Sequence, residues 1–546
     1  MTYSKHLFSM VFALSLTASV ALAKQNPNSS IEFINQCLAA PNCELNLFAE
    51  VSKTYRPSGE ETELRDYVLA IKNQAEKMIW KKQLETFQDK IGNILIRLPA
   101  TGKFVGKNAN YFSLQSHMDM VLAYADAKPG EDIKPYFKDG VRIEVKDGWL
   151  QSVGNKTSLG ADNGIGVAME LRYLIDPKID HPPLELIFTV QEETGLLGAF
   201  GSELPILSKK MLCLDGMTPE PGFIIAGAQG ASGNEIKGTV TDLVQADSDN
   251  TMTVQVTVTQ LAGGHSGGDI HRNRLNAIKA FGSLIKFLSS KVGEVSVKTL
   301  VAGDVGVLNK IPNLFQAELV IPKSKVTQDL NYQIETYLKT LIMQNPDDGA
   351  KGKITVSIIT NAQQKTLTNH AGFTQFLVDS IENASNGVLD TDPAYFNGVF
   401  TSSNLSFMKI SQNQTGQTDF LMGFLTRSFR ADRITYFANS ITTLFASNRV
   451  FYSPLVTKKM EVPPWMEPDS SELLNETLTQ TGLFTKKFYL AGGLEPSAFK
   501  GKIKDLQVIA LGPFNQLAHS VNEKLKVDSV EPTAQGIRKI LSNQRR

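Results

Sequence analysis

The chain is poor in cysteine, with three in 546 residues, and in histidine, with seven. It has no excess of either charge, because 55 Lys and Arg face 55 Asp and Glu. That balance argues against nucleic acid or a membrane surface as partner, since both call for a field of one sign. Substrate choice must then come from local chemistry. Beyond residue 23 no stretch approaches the roughly 18 uninterrupted apolar residues of a membrane helix, so a soluble mature chain with no membrane span is expected. Internal repeats and low-complexity tracts are missing as well. What is present, 42% hydrophobic and 20% charged residues, is ordinary globular composition with ample material for a core.

The one long apolar run is N-terminal. Lys5 and His6 precede Leu7 to Ala23, which closes on Ala21-Leu22-Ala23 and is followed by Lys24 and Gln25. A basic start, a brief hydrophobic run and an Ala-x-Ala end read as a cleavable secretory signal over residues 1–23. An exported protein, periplasmic or secreted, is therefore expected; a membrane anchor is the competing reading, and the run is short for one. Cleavage leaves about 523 residues, and at about 150 residues per domain that suggests two to four domains. In an oxidising compartment Cys37 and Cys43 are close enough to pair across Pro41-Asn42, against the alternative of two buried thiols. Cys213 lies in an apolar run and reads as a core thiol.

From Cys43 to about Gly230 the signals alternate. Helical spacing over 62–76 and 163–174 is interleaved with strand-like runs at 93–98, 112–116, 184–190 and 211–215. This texture predicts an α/β sandwich with its sheet covered on both faces. After Gly230 it changes. Residues 251–260 alternate strictly, as a half-exposed antiparallel strand does. Strand patterns at 301–308, 315–321 and 353–359 and helical ones at 275–288, 327–343 and 374–382 follow. The expectation is an α/β catalytic domain over 24–229 and 459–546, interrupted by an inserted α+β lid domain over 230–458. In the returning part, 472–479 reads as a helix and 506–511 as a core strand.

Five motifs stand just after strand-like runs or at a helix start, where α/β sheets place ligands. They are Ser116-His117-Met118-Asp119, Gly160-Ala161-Asp162-Asn163-Gly164, Gln191-Glu192-Glu193-Thr194-Gly195, Leu214-Asp215-Gly216 and Ala518-His519-Ser520. Each alone is weak: His-x-Asp is commonly surface or capping, Asp162 suits a helix N-cap, and adjacent glutamates are usually solvated. Together they supply what a two-metal hydrolase needs. There are nitrogen ligands, a bridging and terminal carboxylates, and a spare carboxylate to act as base. His117 and Asp119, two apart, project to one side, so the carboxylate can fix the tautomer of the ring. Of the seven histidines a third, His265, lies in Gly263-Gly264-His265-Ser266-Gly267-Gly268.

These motifs resemble the M20 family of co-catalytic zinc peptidases, and within it the aminoacyl-histidine dipeptidase branch. The specific stretches are 114–121, 158–166, 192–199 and 264–271, and the likeness resumes in pieces as far as His519. The resemblance implies a zinc-peptidase sandwich with an inserted lid, and two Zn2+, for which Mn2+ or Co2+ are substitutes. It implies that His117, Asp162 and Asp215 hold one ion, and Asp162, Glu193 and His519 the other. Asp119 would orient His117, and Glu192 would be the general base and then the acid. His265, brought in by lid closure, would polarise the scissile carbonyl or hold the substrate carboxylate. Asn309 and Arg427 match lid positions that bind carboxylate, a task suited to the arginine fork; a surface or interdomain ion pair is the competing reading for Arg427. Glu495 is a candidate for the substrate's free amine.

The chain departs from the family pattern at Pro496 after Gly493-Leu494-Glu495, at Asn313, and after Ser520. Those changes leave the metal chemistry and bear on any preference for a C-terminal His. The function expected is hydrolysis of dipeptides or other short unblocked peptides, with Xaa-His among them. An N-acyl-amino-acid deacylase and a non-catalytic peptide-binding homologue are the alternatives. A short peptide is the expected partner, and a homodimer is left open.

Overall fold

The computed structural model describes residues 27–544, except 129–130, 217–219, 241–242, 246–248, 346, 348–351, 361–366, 370, 414–416 and 448–452. The signal segment expected over 1–23 lies outside the described residues. Two compact units emerge. The first comprises residues up to Gly227 together with Met466–Phe488 and Leu494–Arg546; the second comprises Ala228–Trp465 and Tyr489–Gly493.

The first unit is built on the middle of a nine-stranded sheet. The strands Leu184–Thr189, Phe112–His117, Lys210–Cys213 and Gln507–Ala510 lie side by side in that order, all parallel. Every residue of Phe112–His117 and of Leu184–Thr189 is buried, which requires cover on both faces of the sheet, and the polar Gln115, Ser116 and Glu185 among them are hydrogen-bonded. Ile94–Leu98 extends the sheet antiparallel to Leu184–Thr189. The helix Ala161–Ile175 packs on Phe112–His117, and all its residues except Arg172 are buried. Four parallel strands put four carboxyl ends on one edge. Those ends lead into Met118-Asp119, Gln191–Glu193, Asp215 and, after Leu511, the turn that carries His519.

Near the N-terminus the helices Ile31–Ala39 and Cys43–Val51 are joined by a Cys37–Cys43 disulfide. Ser30 caps the first of them by accepting from the Phe33 amide. Cys213 is buried and free.

The second unit is an antiparallel nine-stranded sheet. Its order is Lys353–Thr360, Thr251–Thr259, Phe315–Pro322, Ser296–Ala302, Val399–Gln412, Thr418–Ser428, Gly230–Val240 and Leu455–Val462, with Gly387–Thr391 beside Val399–Gln412. The alternation read in 251–260 is physical: Val254, Val256 and Val258 point into a core with Phe281, Leu284, Leu288, Ile334, Leu338, Ile441 and Phe445 from the helices.

Two expectations are corrected. The lid was placed over 230–458, but the second unit runs to Trp465 and takes back 489–493. The reason is that residues 459–462, expected in the catalytic domain, complete the edge strand Leu455–Val462, paired antiparallel with Ala231–Lys237. The strand expected over 301–308 is instead Ser296–Ala302. It stops because Gly303 turns the chain with φ 71°, against the Ser406 carbonyl.

Gly216, next to Asp215, has no room for a side chain, because a Cβ there would collide with the backbone of Leu511 and Gly512. Gly216→Ala should therefore destabilise the protein by about 1–3 kcal/mol, measured by denaturant unfolding. Unfolding identical to that of the wild type would show that the two loops can part without cost.

Candidate metal centre

The carboxyl edge of the first unit gathers the five motifs. His117 is fully buried at the end of its strand. Its Nε2 lies 3.1 Å from Asp162 Oδ1 and 4.0 Å from Asp215 Oδ2. His519 Nε2 lies 3.3 Å from the other oxygen of Asp162, Oδ2, and 2.9 Å from Glu193 Oε1. Asp162 thus offers one oxygen to each imidazole, and the same Nε2 atom of each has one further carboxylate beside it, Asp215 for His117 and Glu193 for His519. Nitrogen and oxygen atoms of His117, Asp162 and Glu193 lie within 4.8 Å of one another, close enough to surround an ion.

Local sequence explains each placement. Gly160 adopts φ 70° ahead of the buried helix, and the chain around Asp162 and Asn163 departs from helical geometry, so the aspartate projects from the turn. His519 sits at φ 65° in a tight turn, a region that histidine enters more readily than bulky residues. Asp119 is within 3.3 Å of His117 Nδ1, and the ring nitrogen is also 3.1 Å from the Asp119 carbonyl. The Asp119 carboxylate accepts from the amides of Glu192 at 3.0 Å and Glu193 at 3.1 Å and from Ser58 Oγ at 2.7 Å. One carboxylate therefore fixes both a ring and the Glu192-Glu193 loop.

The electrostatics ask for cations. Asp119, Asp162, Glu192, Glu193 and Asp215 crowd one edge, and among the described residues none is ion-paired with Lys or Arg. Burial and the like charges of Glu193 and Asp215 raise Glu192 well above the carboxylate range. Burial and Asp162 do the same to Asp215. Asp162 is held down against burial by its contacts with His117 and His519. Protons on the two imidazoles balance some of this charge, although burial opposes them. Divalent ions would displace those protons and neutralise the carboxylates, so the donor set fits them.

Glu495 also belongs to the first unit and is 1% exposed. Its Oε2 accepts from Thr189 Oγ1 at 2.7 Å and from Gln115 Nε2, while Oε1 has no hydrogen-bond partner among the described residues. Burial raises its pKa to about 7.

His265, Asn309 and Arg427 belong to the second unit. Pairing of Gly264-His265 with Lys310-Ile311 brings His265 beside Asn309, whose carbonyl accepts from the Ser266 amide at 2.8 Å. His265 Nδ1 accepts from the amides of Gly267 and Gly268 at 3.2 and 3.0 Å. The ring proton is therefore on Nε2, which makes His265 a hydrogen-bond donor rather than a base. Arg427 is buried on the strand Thr418–Ser428, has no carboxylate partner among the described residues, and is pushed down to about 10 by burial. The surface ion pair read as its alternative is excluded.

Arg56, Ser58, Glu61 and Glu523 were not singled out from sequence. Glu61 accepts from the amide of Gln191 at 3.0 Å, which steadies the start of the glutamate loop. The run Arg56-Pro57-Ser58-Gly59-Glu60-Glu61 ahead of a helix, and a glutamate four residues beyond His519, were the available signals.

No family model matches the chain. It is 26% identical over 492 residues to the cytosol non-specific dipeptidase of Escherichia coli K12, covering 89% of this chain and 94% of that protein. Its fold is similar to that of an aminoacylhistidine dipeptidase from Vibrio alginolyticus, with a TM-score of 0.70, 22% identity, and 93% and 98% of the two chains covered. A tripeptidase from Staphylococcus aureus aligns with a TM-score of 0.54 and 15% identity, over 91% of this chain and 97% of the other. Over most of its length the chain is thus similar in sequence to a dipeptidase, and it shares the fold of an aminoacylhistidine dipeptidase.

If the edge binds ions as its charge requires, exhaustive chelation should lower the thermal midpoint and added Zn2+ should restore it. Ligand at about 1,000 times its Kd contributes roughly 4 kcal/mol. A midpoint indifferent to both treatments would show that the carboxylates are satisfied without ions.

Proposed function

We propose that the chain is an exported dizinc peptidase that hydrolyses dipeptides or other short unblocked peptides, Xaa-His among them. The observation that carries this reading is the Asp162 carboxylate shared between His117 and His519, with Glu192 near His117, Glu193 and Asp215 and outside both ligand sets. His117, Asp162 and Asp215 would hold one ion, and Asp162, Glu193 and His519 the other. When bound, the ions supply Lewis acidity for the peptide carbonyl and a lowered pKa for water.

The chain's own residues do the rest. Glu192 takes a proton from the attacking water and returns it to the amine nitrogen as the C–N bond breaks. Its amide is pinned by Asp119, so the base cannot drift from the ligand His117 that the same carboxylate supports. His265 offers Nε2–H to the substrate carbonyl or carboxylate oxygen, from its own chain or from a second copy. Arg427, a buried cation, suits a substrate carboxylate, with Asn309 as a neutral partner. Glu495, with one oxygen lacking a hydrogen-bond partner among the described residues, suits the free amine.

Glu192→Ala should lower kcat by roughly 10²–10⁴ at unchanged metal content; full activity in that variant would remove Glu192 from the base role. A panel of dipeptides, Xaa-His peptides and N-acyl amino acids separates the readings. Turnover confined to N-acyl amino acids would favour the deacylase, and no turnover by the metal-loaded protein would favour the non-catalytic homologue.

Export is supported by the apolar Leu7–Ala23 segment and by the Cys37–Cys43 disulfide, a bond that persists in oxidising compartments. N-terminal sequencing of protein recovered outside the cytoplasm should begin at or near Lys24. Protein found only in the cytoplasm and retaining Met1 would overturn export while leaving the chemistry untouched.

A further inference from the structure

Two buried charged groups outside the ligand set grip one turn from opposite sides. Arg56 is 1% exposed. Its Nη1 donates to the carbonyls of Met118 at 3.0 Å and Asp119 at 3.1 Å, and its Nη2 donates to the Gly160 carbonyl at 2.5 Å. The Asp119 carbonyl is also the one that lies against His117 Nδ1. Glu523 is 2% exposed. Its Oε2 accepts from the amides of Leu159 at 3.0 Å and Gly160 at 2.8 Å, and its Oε1 accepts from the amide of Asp162 at 3.1 Å and from Asn515 Nδ2 at 3.3 Å.

Glu523 lies four residues beyond His519, in a hairpin closed by pairing of Asn515-Gln516 with Leu525 and Lys524. That hairpin is anchored in turn on Trp149–Gln151. Gly160 is thus held by its carbonyl from the His117 side and by its amide from the His519 side. A Cβ on it would collide with the Arg56 guanidinium. Burying two full charges to hydrogen-bond backbone groups is costly, and a turn needed only for folding has cheaper neutral solutions. What the charges add is stiffness at the residue that must face two ions.

We propose that Arg56 and Glu523 are positioning residues that aim Asp162 as a bridge, Arg56 setting it against His117 and Glu523 setting it against His519. The assignment rests on the two-ion reading of the site. Arg56 acts through the Met118 and Asp119 carbonyls, so its loss falls on the His117 ion. Glu523 joins the Asp162 amide to the His519 hairpin, so its loss falls on the other.

The test titrates full-length, metal-free protein with Zn2+ by calorimetry, using His117→Ala and His519→Ala to mark the two affinities. Arg56→Lys keeps the charge but not the fork, and should weaken the His117-marked affinity by about 10–100-fold. Glu523→Gln puts an amide N–H against backbone N–H groups, and should weaken the His519-marked affinity by about 10–100-fold. Thermal melts of the metal-free variants establish that they fold. If Glu523→Gln does not, Asn515→Ala carries the same arm, with a several-fold loss at the His519 ion expected and an unchanged affinity counting against the proposal. Wild-type affinities in the variants, or an equal loss at both ions in each, overturn it. A wild type that takes up fewer than two ions sinks the two-ion reading itself.

Discussion

Like charges at short range govern this protein. Five carboxylates converge at one edge of a buried sheet, and among the described residues none is ion-paired with a lysine or arginine. In a medium of low dielectric such an arrangement is unfavourable until positive charge enters it. The two imidazoles answer part of that demand, and they do so through a single shared carboxylate, that of Asp162. The surrounding structure can be understood as the means of holding that one group still: buried strands beneath it, a left-handed glycine before it, and backbone hydrogen bonds on each side.

Rigidity at the edge comes from the sheet. Parallel strands buried on both faces leave little freedom at their ends, so residues one or two positions beyond a strand inherit its precision. Asp215, two positions past Cys213, gains its position this way and His117 is itself the last residue of its strand, whereas Glu193, four past Thr189, is tied down by the bond from its amide to Asp119. His519 does not end a strand and is held instead by a hairpin whose geometry includes a left-handed residue. Asp119 ties the two modes together by bonding a ring at a strand end and the amides of a neighbouring loop.

The parts that sequence conveyed are those with local signals. Strand-like runs at 112–116 and 184–190 gave buried strands, and every side chain over 112–116 and 184–189 meets a covered face. The alternation at 251–260 gave an antiparallel strand because one of its faces is wet. The ligand set was legible because acid and His motifs recur just where such runs stop. Less legible were features defined by partners far along the chain. Residues 459–462 read as part of the returning first domain, and only the pairing of Leu455–Val462 with Ala231–Lys237 assigns them to the second unit. Arg56 and Glu523 are unremarkable in composition, and their importance lies in backbone groups 62 to 364 positions away. Arg427 gave no sign of its burial, since an isolated arginine in a strand reads as surface.

The strand Gln507–Ala510 pairs with Lys210–Cys213, its neighbour in the sheet though nearly the whole second unit is threaded between them. During synthesis the early strands emerge long before the partner that completes their sheet, and an entire domain follows them first. Non-local pairing of this kind closes late and slowly. The residue that completes the ligand set, His519, arrives with that last strand. A chain that has not yet made this pairing therefore lacks the cluster in which His519 meets Asp162 and Glu193.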